Sequence, residues 1–385
     1  MALQAAKNLF SKAMKLIPLK NTILFESVPD YSDNTKAVFD EMVRRGLNKK
    51  YKFIWVCSKK DGIERAKKLL KDVDNVGYTY RFSKLYWYYY RNTAKAMITC
   101  NLFLKKSRDS QYYIYLAHGC ALKNASGKHS VPVGNVNTDV LTLSDYLIKY
   151  DSINLCCDEK CIIPLGYPRI DRLFDSHLDF HQFFENINFD KVVYWLPTYR
   201  QHNNGKHIHS DISIPIIHNV DIAKRVNAYA KEKNILLLLK VHPAQDISKI
   251  NQDSLSHIIF ITNDFLDKNG IDNYEVLGSC DALLTDYSSV YYDYLICNKP
   301  IGLCWEDFEE YNQREGFTVD IDLILSGGEK IYTAEDLFEF LDRLNKNEDC
   351  LKEKREKIRD LVHKYQDNKT TERVVNRIEE KLKEL

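Results

Sequence analysis

Residues 282–302 read ALLTDYSSVYYDYLICNKPIG and join a short apolar run to a polar turn and a helical pattern. The run 282–284 predicts a buried strand, and the apolar residues after the turn recur at helical spacing. Asp286, Ser288 and Ser289 therefore lie where a strand becomes a helix. Unpaired backbone N–H groups and the helix dipole favour a phosphate there, and a parallel sheet binds ligands at that edge. The alternative is that Asp286 or Ser288 only caps the helix.

Length and composition favour a two-domain protein with reduced thiols. The 385 residues exceed what one core usually serves. Fifty-five Lys and Arg nearly balance 54 Asp and Glu, which argues against a nucleic-acid binder. The ten cysteines contain no C-x-x-C pair, and no Cys/His spacing suggests zinc, so we predict no metal. We predict no membrane-spanning helix, since no apolar run reaches about 18 residues, and no signal peptide.

Residues 1–20, MALQAAKNLFSKAMKLIPLK, predict a basic amphipathic helix that ends near Pro18. Apolar residues fall on one face, lysines lie largely opposite, and the segment contains no Asp or Glu. A helix of this kind lies in a membrane interface and is attracted by anionic lipid. The alternative is that its apolar face packs on the domain that follows.

The remaining chain alternates between strand and helix patterns, which is typical of βαβ units and parallel sheets. The alternation restarts after a polar segment at 186–190, which we interpret as a domain boundary. We interpret the tyrosines around Trp87 as core and interdomain packing. We therefore predict a membrane-associating helix at 1–20, an N-terminal Rossmann-like domain at 21–187, a C-terminal one at 188–345 and closing helices at 346–385. The predicted strands cover 22–28, 53–58, 96–100, 112–119, 192–200, 235–243, 258–262 and 282–284, and the predicted helices include 34–45, 62–70, 83–91, 222–232 and 273–277.

Two histidines end predicted strands, one in each half of the chain. His118 follows YYIYLA and precedes Gly119, with Lys123 close behind it. His242 follows LLLLKV, with Lys240 just before it. A histidine at such a position is suited to act as a general base or to donate to a phosphate. Each is also compatible with an ordinary buried histidine.

Other polar residues end strands as well. Thr198 and Arg200 close a strand of the second half, where a guanidinium can pair with a phosphate. Asp33 and Asn34 follow the first strand, and either can be a simple helix cap. The GYPR segment at 166–169 predicts a turn. Neither G-x-G-x-x-G nor a Walker A motif is present, which disfavours dinucleotide and P-loop sites.

Eight ordered segments resemble the CDP-glycerol glycerophosphotransferase family, the TagB/TagF-type transferases that build teichoic acids and capsules. The resemblance covers about residues 22–378. It departs at Cys120 and Ala121, where the family has Thr and Pro, which predicts a less restrained loop after His118. The segments are YSDN (31–34), HGCALK (118–123), GYPRID (166–171), LPTYR (196–200), KVHP (240–243), TDYSSVYYDY (285–294), EEYNQREGF (309–317) and DNKTTERVV (367–375).

The resemblance implies a GT-B-like architecture, with two Rossmann-like domains facing across a cleft and closing C-terminal helices. It implies transfer of a polyol phosphate, glycerol phosphate first, from a CDP-activated donor to a hydroxyl of a lipid-linked or polymeric glycan, with release of CMP. His118 is then the base and His242 the catalytic residue at the diphosphate. The implied donor and phosphate-binding residues are Arg200, Thr198, Lys240, Asp286, Ser288 and Ser289, and the implied acceptor-side residues are Asp33, Asn34, Gly119 and Lys123.

The implied partners are CDP-glycerol or CDP-ribitol, a surface-polymer acceptor, and the membrane through residues 1–20. The implied location is the cytoplasmic face of the bacterial membrane, as a peripheral protein. No cofactor is predicted, and Mg²⁺ is not required if protein cations balance the phosphate charge. Two alternatives stay open, a GT-B glycosyltransferase that uses a nucleotide sugar and a non-catalytic assembly protein with this fold.

Overall fold

The protein folds into two compact α/β units. The structure is a computed structural model, and it describes residues 16–102, 106–126, 139–198, 214–241, 250 and 254–385. The first unit comprises the chain up to Cys120, Ala125–Asp171 and His363–Leu385. The second comprises Ala121–Asn124 and Arg172–Val362. The predicted site residues His242 and Arg200 and most of the predicted N-terminal helix, residues 1–15, lie outside the described residues.

Each unit is built on one parallel sheet, as predicted. The first has seven strands in the order β3-β2-β1-β4-β5-β6-β7, and the second has six in the order β10-β9-β8-β11-β12-β13. Strands such as Ile235–Leu239 are buried along their whole length, because helices cover both faces of such sheets. The strands are β1 Lys20–Glu26, β2 Lys52–Cys57, β3 Val76–Tyr80, β4 Ala94–Thr99, β5 Tyr112–Tyr115, β6 Asp139–Leu141, β7 Ile162–Ile163, β8 Lys191–Trp195, β9 Ile235–Leu239, β10 Ile258–Phe260, β11 Ala282–Thr285, β12 Ile301–Cys304 and β13 Glu329–Ile331.

The helices connect these strands and close the two units. None of the helices within the described ranges combines the length and the apolar character that a membrane span needs. The helices are α1 Asp33–Arg44, α2 Lys60–Leu69, α3 Lys84–Thr93, α4 Ile148–Leu155, α5 Asp171–Phe174, α6 Val220–Glu232, α7 Asn263–Asn269, α8 Asn273–Ser279, α9 Val290–Tyr294, α10 Phe308–Arg314, α11 Ile321–Ile324, α12 Ala334–Asn345, α13 Lys352–Val362 and α14 Thr370–Glu384.

The unit boundaries differ from those the sequence predicts. The chain enters the second unit after Asp171 rather than after residue 187, because the segment that follows packs on α8. There the Leu178 N–H donates to Ser279 Oγ at 2.9 Å. The two predicted closing helices belong to different units, α13 to the second and α14 to the first. The α14 N-terminus is held by the Asp171 carboxylate, which accepts from two backbone N–H groups.

Several strands are shorter than predicted, or were missed. The predicted strand 112–119 ends at Tyr115, because Ala117 adopts a left-handed backbone with φ of 56°. Strand β3 was missed because its sequence, VGYTY, includes a glycine and is only partly buried, as expected for an edge strand. The strands β6, β7, β12 and β13 were missed as well.

Candidate active site

A polar cluster lies at the carboxyl ends of β1, β4 and β5 in the first unit. These strands are neighbours in a parallel sheet, so the residues that follow them meet at one edge. Asp33 is the first residue of α1, and His118 follows β5 after a short turn. The fold therefore brings together two residues that are far apart in the sequence and that the sequence analysis assigned to the acceptor.

Asp33 orients the His118 ring. Its Oδ2 lies 2.5 Å from His118 Nδ1, which leaves Nε2 as the ring nitrogen for another partner. The histidine side chain is 61% exposed, whereas that of Asp33 is only 9% exposed. A buried carboxylate that fixes one ring nitrogen while the ring faces solvent is the arrangement of an oriented general base.

Arg169 completes this cluster, although the sequence analysis treated its segment only as a turn. Its Nη1 donates to Asp33 Oδ1 at 2.8 Å and to the His118 carbonyl at 2.7 Å. Burial by itself would raise the pKa of Asp33, but the Arg169 guanidinium and the His118 ring outweigh it and hold that pKa below its ordinary value. The carboxylate therefore stays ionised and keeps its hold on the ring.

The backbone on both sides of this contact is strained and clamped. Asp33 has φ of 58° and Ala117 has φ of 56°, a region that alanine rarely occupies. The Asn34 amide donates to the carbonyls of Leu116 and Ala117 at 3.2 and 2.8 Å. Its oxygen accepts from the Arg169 N–H at 3.0 Å. Asn34 is thus a buried brace for the turn that presents the histidine, rather than a simple helix cap.

Cys100 lies behind the pair and is poorly suited to bind a metal. Within the described ranges, Asp33, Cys100 and His118 form a group whose candidate ligand atoms all lie within 4.8 Å of one another. Burial, followed by the nearby Asp33 charge, raises the pKa of the Cys100 thiol well above its ordinary value. A cation here would have to deprotonate that thiol and compete with Arg169 for Asp33.

In the second unit, Asp286 is buried and ties two neighbouring strands together. It follows β11, and both of its oxygens accept from the Thr198 N–H, at 3.1 and 2.9 Å, in the segment after β8. Thr198 Oγ1 also donates to this carboxylate. Asp286 therefore holds the Thr198 turn, and its predicted role at a donor phosphate stays a prediction.

Lys123, predicted as an acceptor-side residue, lies in the second unit beside Thr198. Its Nζ donates to Thr198 Oγ1 at 3.3 Å and lies 5.5 Å from the centre of the Tyr311 ring. Lys123 also forms an antiparallel bridge with Phe317. The cation therefore sits beside the strand end at which a donor phosphate is expected.

Backbone contacts hold the segment that carries Lys123. The Ala121 carbonyl accepts from Tyr292 Oη at 3.0 Å, and the Leu122 carbonyl accepts from the Thr318 N–H at 3.0 Å. The Asn124 N–H donates to the carbonyl of Gly316, whose φ of 68° suits glycine. The loop that was predicted to be less restrained without a proline is therefore restrained by hydrogen bonds.

The remaining predicted residues of this unit lie near the same sheet edge. Ser288 and Ser289 precede α9 and are half-buried, and Ser289 makes no side-chain cap bond. Lys240 follows β9, and its Nζ donates to Asn263 Oδ1 at 2.6 Å. In the first unit, Gly119 lies in the turn directly after His118.

Three comparisons with known proteins bear on this arrangement. A model of the family described as CDP-Glycerol:Poly(glycerophosphate) glycerophosphotransferase matches residues 9–380. The teichoic acid ribitol-phosphate polymerase TarL of Staphylococcus aureus (strain NCTC 8325 / PS 47) is 27% identical over 376 residues, covering 93% of this chain. The chain spans 62% of the length of TarL. A teichoic acid poly(glycerol phosphate) polymerase of Bacillus spizizenii (strain ATCC 23059 / NRRL B-14472 / W23) is 26% identical, and the match covers 79% of each protein.

Solved structures agree with the predicted fold class. The wall teichoic acid polymerase TagF superposes with a TM-score of 0.73 and 19% identity, covering 100% of this chain and 97% of that one. A UDP-N-acetylglucosamine 2-epimerase from Listeria monocytogenes, described as putative, gives a TM-score of 0.56 at 14% identity, covering 96% and 98%. The predicted GT-B-like α/β class, with two parallel sheets and C-terminal helices, is confirmed.

Proposed function

The chain belongs to the CDP-glycerol:poly(glycerophosphate) glycerophosphotransferase family, and on that premise we propose that it transfers a polyol phosphate from a CDP-activated donor to a hydroxyl group. The acceptor is a teichoic acid, capsule or related surface polymer, or its lipid-linked precursor, and the second product is CMP. The observation that carries this proposal is the Asp33–His118 pair, a buried carboxylate that orients an exposed imidazole.

In the proposed step, His118 Nε2 takes the proton of the acceptor hydroxyl. The oxygen attacks the phosphorus that bears the polyol, a new P–O bond forms, and the bond to the bridging diphosphate oxygen breaks to release CMP. Asp33 stabilises the imidazolium that results, and Arg169 keeps Asp33 ionised. General-base assistance of this kind is worth about 10²–10⁴-fold in rate.

The second unit is assigned to the donor. Phosphoryl transfer depends on positioning and charge stabilisation, which cations and hydroxyl groups at a strand edge supply. Lys123, Lys240 and the two serines before α9 are described residues of this kind. The family resemblance adds Arg200 and His242, which lie outside the described residues. With these cations present, we propose that no divalent metal is required.

We propose glycerol phosphate as the first donor group to test, because the family description names it. Relatives named as ribitol-phosphate and glycerol-phosphate polymerases match at similar identity, 27% and 26%, so CDP-ribitol is the direct competitor. We also propose a peripheral location at the cytoplasmic face of the membrane. Its support is the basic, amphipathic sequence of residues 1–20, of which 1–15 lie outside the described residues.

The decisive experiment measures nucleotide release by the purified protein. CDP-glycerol, CDP-ribitol and UDP-N-acetylglucosamine are each offered with and without a bacterial membrane extract as acceptor. We expect CMP from one CDP-polyol, and only when the acceptor is present. Release of UDP from the nucleotide sugar, with no CMP from either polyol donor, would replace the proposal by the glycosyltransferase alternative. No release from any donor would favour a non-catalytic role.

A further inference from the structure

Exposed apolar side chains collect at one corner of the first unit. Phe82 and Leu85 are each 64% exposed, Tyr86 is 62% exposed and Val28 is 40% exposed. Large apolar residues this exposed are individually ordinary, but a group of them marks an interaction surface. Tyr86 was predicted to take part in core and interdomain packing, and its exposure contradicts the core part of that prediction.

The sheet explains why these residues are neighbours. Strands β1, β2 and β3 are adjacent and parallel, so the residues after each strand emerge at the same edge. Cys57 of β2 pairs with Tyr80 of β3, and the Arg81 N–H donates to the Cys57 carbonyl at 2.9 Å. We call this surface the rim, defined by Val28, Lys59, Lys60 and residues 81–86.

The charge of the rim is basic. Lys59 and Lys60 are exposed, and the Arg81 guanidinium lies 5.7 Å from the centre of the Phe82 ring. Among the acids of these three strand ends, Asp30 is buried and accepts from the Ser58 N–H, and Asp61 is exposed. In sequence, the rim contains four basic residues, Lys59, Lys60, Arg81 and Lys84, with Asp61 as the adjoining exposed acid.

We propose that the rim docks on a membrane surface that contains anionic phospholipid. Exposed Phe, Leu and Tyr side chains enter the interface between headgroups and acyl chains, while Lys and Arg bind the lipid phosphates. This mixture of basic charge and exposed aromatic groups fits such a surface better than it fits a neutral protein partner. None of the residues that define the rim belongs to residues 1–20, the segment that the sequence alone had linked to the membrane.

The position of the rim relates the docking to the proposed reaction. The sheet order runs β3-β2-β1-β4-β5, and His118 follows β5 at the same carboxyl edge. A membrane at the β3 end of that edge would hold a lipid-anchored acceptor along the edge that carries the base. This purpose rests on the proposed function, whereas the docking itself is tested without substrate.

The first test is co-sedimentation of the full chain with vesicles of phosphatidylcholine alone or mixed with phosphatidylglycerol. We expect binding to the anionic vesicles that weakens as salt is raised. The triple variant Phe82→Ser, Leu85→Ser, Tyr86→Ser should bind about tenfold more weakly, since each side chain contributes apolar burial. A matched control changes three other exposed apolar residues to serine, Ile153, Leu323 and Tyr332.

A second test needs no destabilising change. Of the four tryptophans, Trp55, Trp195 and Trp305 are buried, so Trp87, half-buried and next to Tyr86, is the one that a bilayer can reach. Phosphatidylglycerol brominated on its acyl chains should therefore quench part of the fluorescence of the unmodified protein. The Trp87→Phe variant should lose that quenching while still sedimenting with the vesicles.

The outcomes separate the alternatives. Wild-type binding by the triple variant would assign the membrane contact to residues 1–20 and overturn the proposal, as would an equal loss in the control variant or the absence of Trp87 quenching. Loss of a dimer in the triple variant, without vesicle binding by the wild type, would identify the rim as an interface between two copies. Failure of the CMP assay would leave these binding results unchanged, so the two proposals fail independently.

Discussion

Each unit has a carboxylate at the carboxyl edge of its parallel sheet, after β1 in the first and after β11 in the second, and the two carboxylates make different contacts. In the first unit, Asp33 contacts an exposed imidazole and a buried guanidinium. In the second, Asp286 is fully buried and accepts from the backbone and hydroxyl of Thr198. The first carboxylate orients a side chain that faces solvent, and the second fixes a turn.

This difference shows that a strand-end aspartate is not functional by position alone. Asp33 contacts a titratable ring and so controls its orientation and charge, in addition to accepting from the Asn34 N–H at 2.7 Å, whereas the bonds of Asp286 to Thr198 stabilise local structure. The first unit therefore holds the candidate base, and the second holds a rigid platform on which Lys123 is placed.

The largest expected effect is on the base. Replacing His118 by Asn should lower acceptor-dependent CMP release by about 10²–10⁴-fold, because the hydroxyl proton loses its acceptor. Donor binding, measured by calorimetry, should survive, since His118 lies in the first unit. His177, an exposed histidine elsewhere, provides the control as His177→Ala. An equal loss of donor binding would move His118 to the donor side.

Replacement of aspartate by asparagine should lower the free energy of unfolding by different amounts at Asp33 and Asp286. Asp33→Asn leaves the Arg169 guanidinium, 5% exposed, without its carboxylate, and should lower the free energy of unfolding by about 3 kcal/mol. Asp286→Asn keeps one oxygen that can accept from Thr198 and should cost about 1–2 kcal/mol. Urea unfolding of both variants measures the difference. Equal costs would mean that the two carboxylates play the same role.

Asp33→Asn should also lower the rate of CMP release with little change in the Michaelis constant for the donor. The amide no longer stabilises the imidazolium, although the ring stays within reach of it. The pH dependence of the CMP-release rate should also change, an effect that a purely structural role of Asp33 would not produce. An unchanged rate per folded molecule would limit Asp33 to stabilising the fold.

Lys123→Met should raise the Michaelis constant for the CDP-polyol by about tenfold, the size expected when a charge-assisted hydrogen bond is lost. Lys346→Met, an exposed lysine at the end of α12, is the control. Steady-state kinetics with both substrates varied gives the answer. An increase confined to the acceptor would restore the acceptor-side role that the sequence suggested.

The smallest expected effect is on the pH dependence of stability, which should differ between His218 in the second unit and Asp33 in the first. The hydrogen bond that His218 donates to Glu306 raises the pKa of His218 in the second unit above its ordinary 6.5, and burial only partly opposes it. A raised pKa stabilises the fold below about pH 6.5 and loses that contribution as pH rises through the folded value. The lowered pKa of Asp33 acts in the opposite sense, with its contribution lost only in acid, below about pH 4.

His218→Gln should therefore cost less than about 1 kcal/mol at pH 6 and almost nothing at pH 9, because the group is partly exposed. Asp33→Asn should cost more than His218→Gln at both pH values, because Asp33 is ionised throughout this range and holds the buried Arg169. Unfolding curves of both variants and the wild type at the two pH values measure these differences. A His218 cost that grows with pH would contradict the assigned direction of its shift.

The sequence predicted the parts of the fold that local pattern controls. Continuous apolar runs identified β1, β2, β4, β8, β9 and β11, because strands buried on both faces must be apolar throughout. The same reasoning missed β3 at the sheet edge and the strands β6, β7, β12 and β13. The sequence pattern also did not predict the unit boundary at Asp171, because this boundary depends on the surface against which residues 172–179 pack.

The candidate site divides in the same way. The sequence by itself determined that His118, Asp33 and Asn34 lie at strand ends, because a parallel sheet brings the residues after its strands to one edge. Only the tertiary structure decided that Arg169 pairs with Asp33, that Asp286 clamps Thr198, and that Lys123 joins the second unit. Those contacts join residues far apart in the chain, and their geometry is set by packing, which no local pattern encodes.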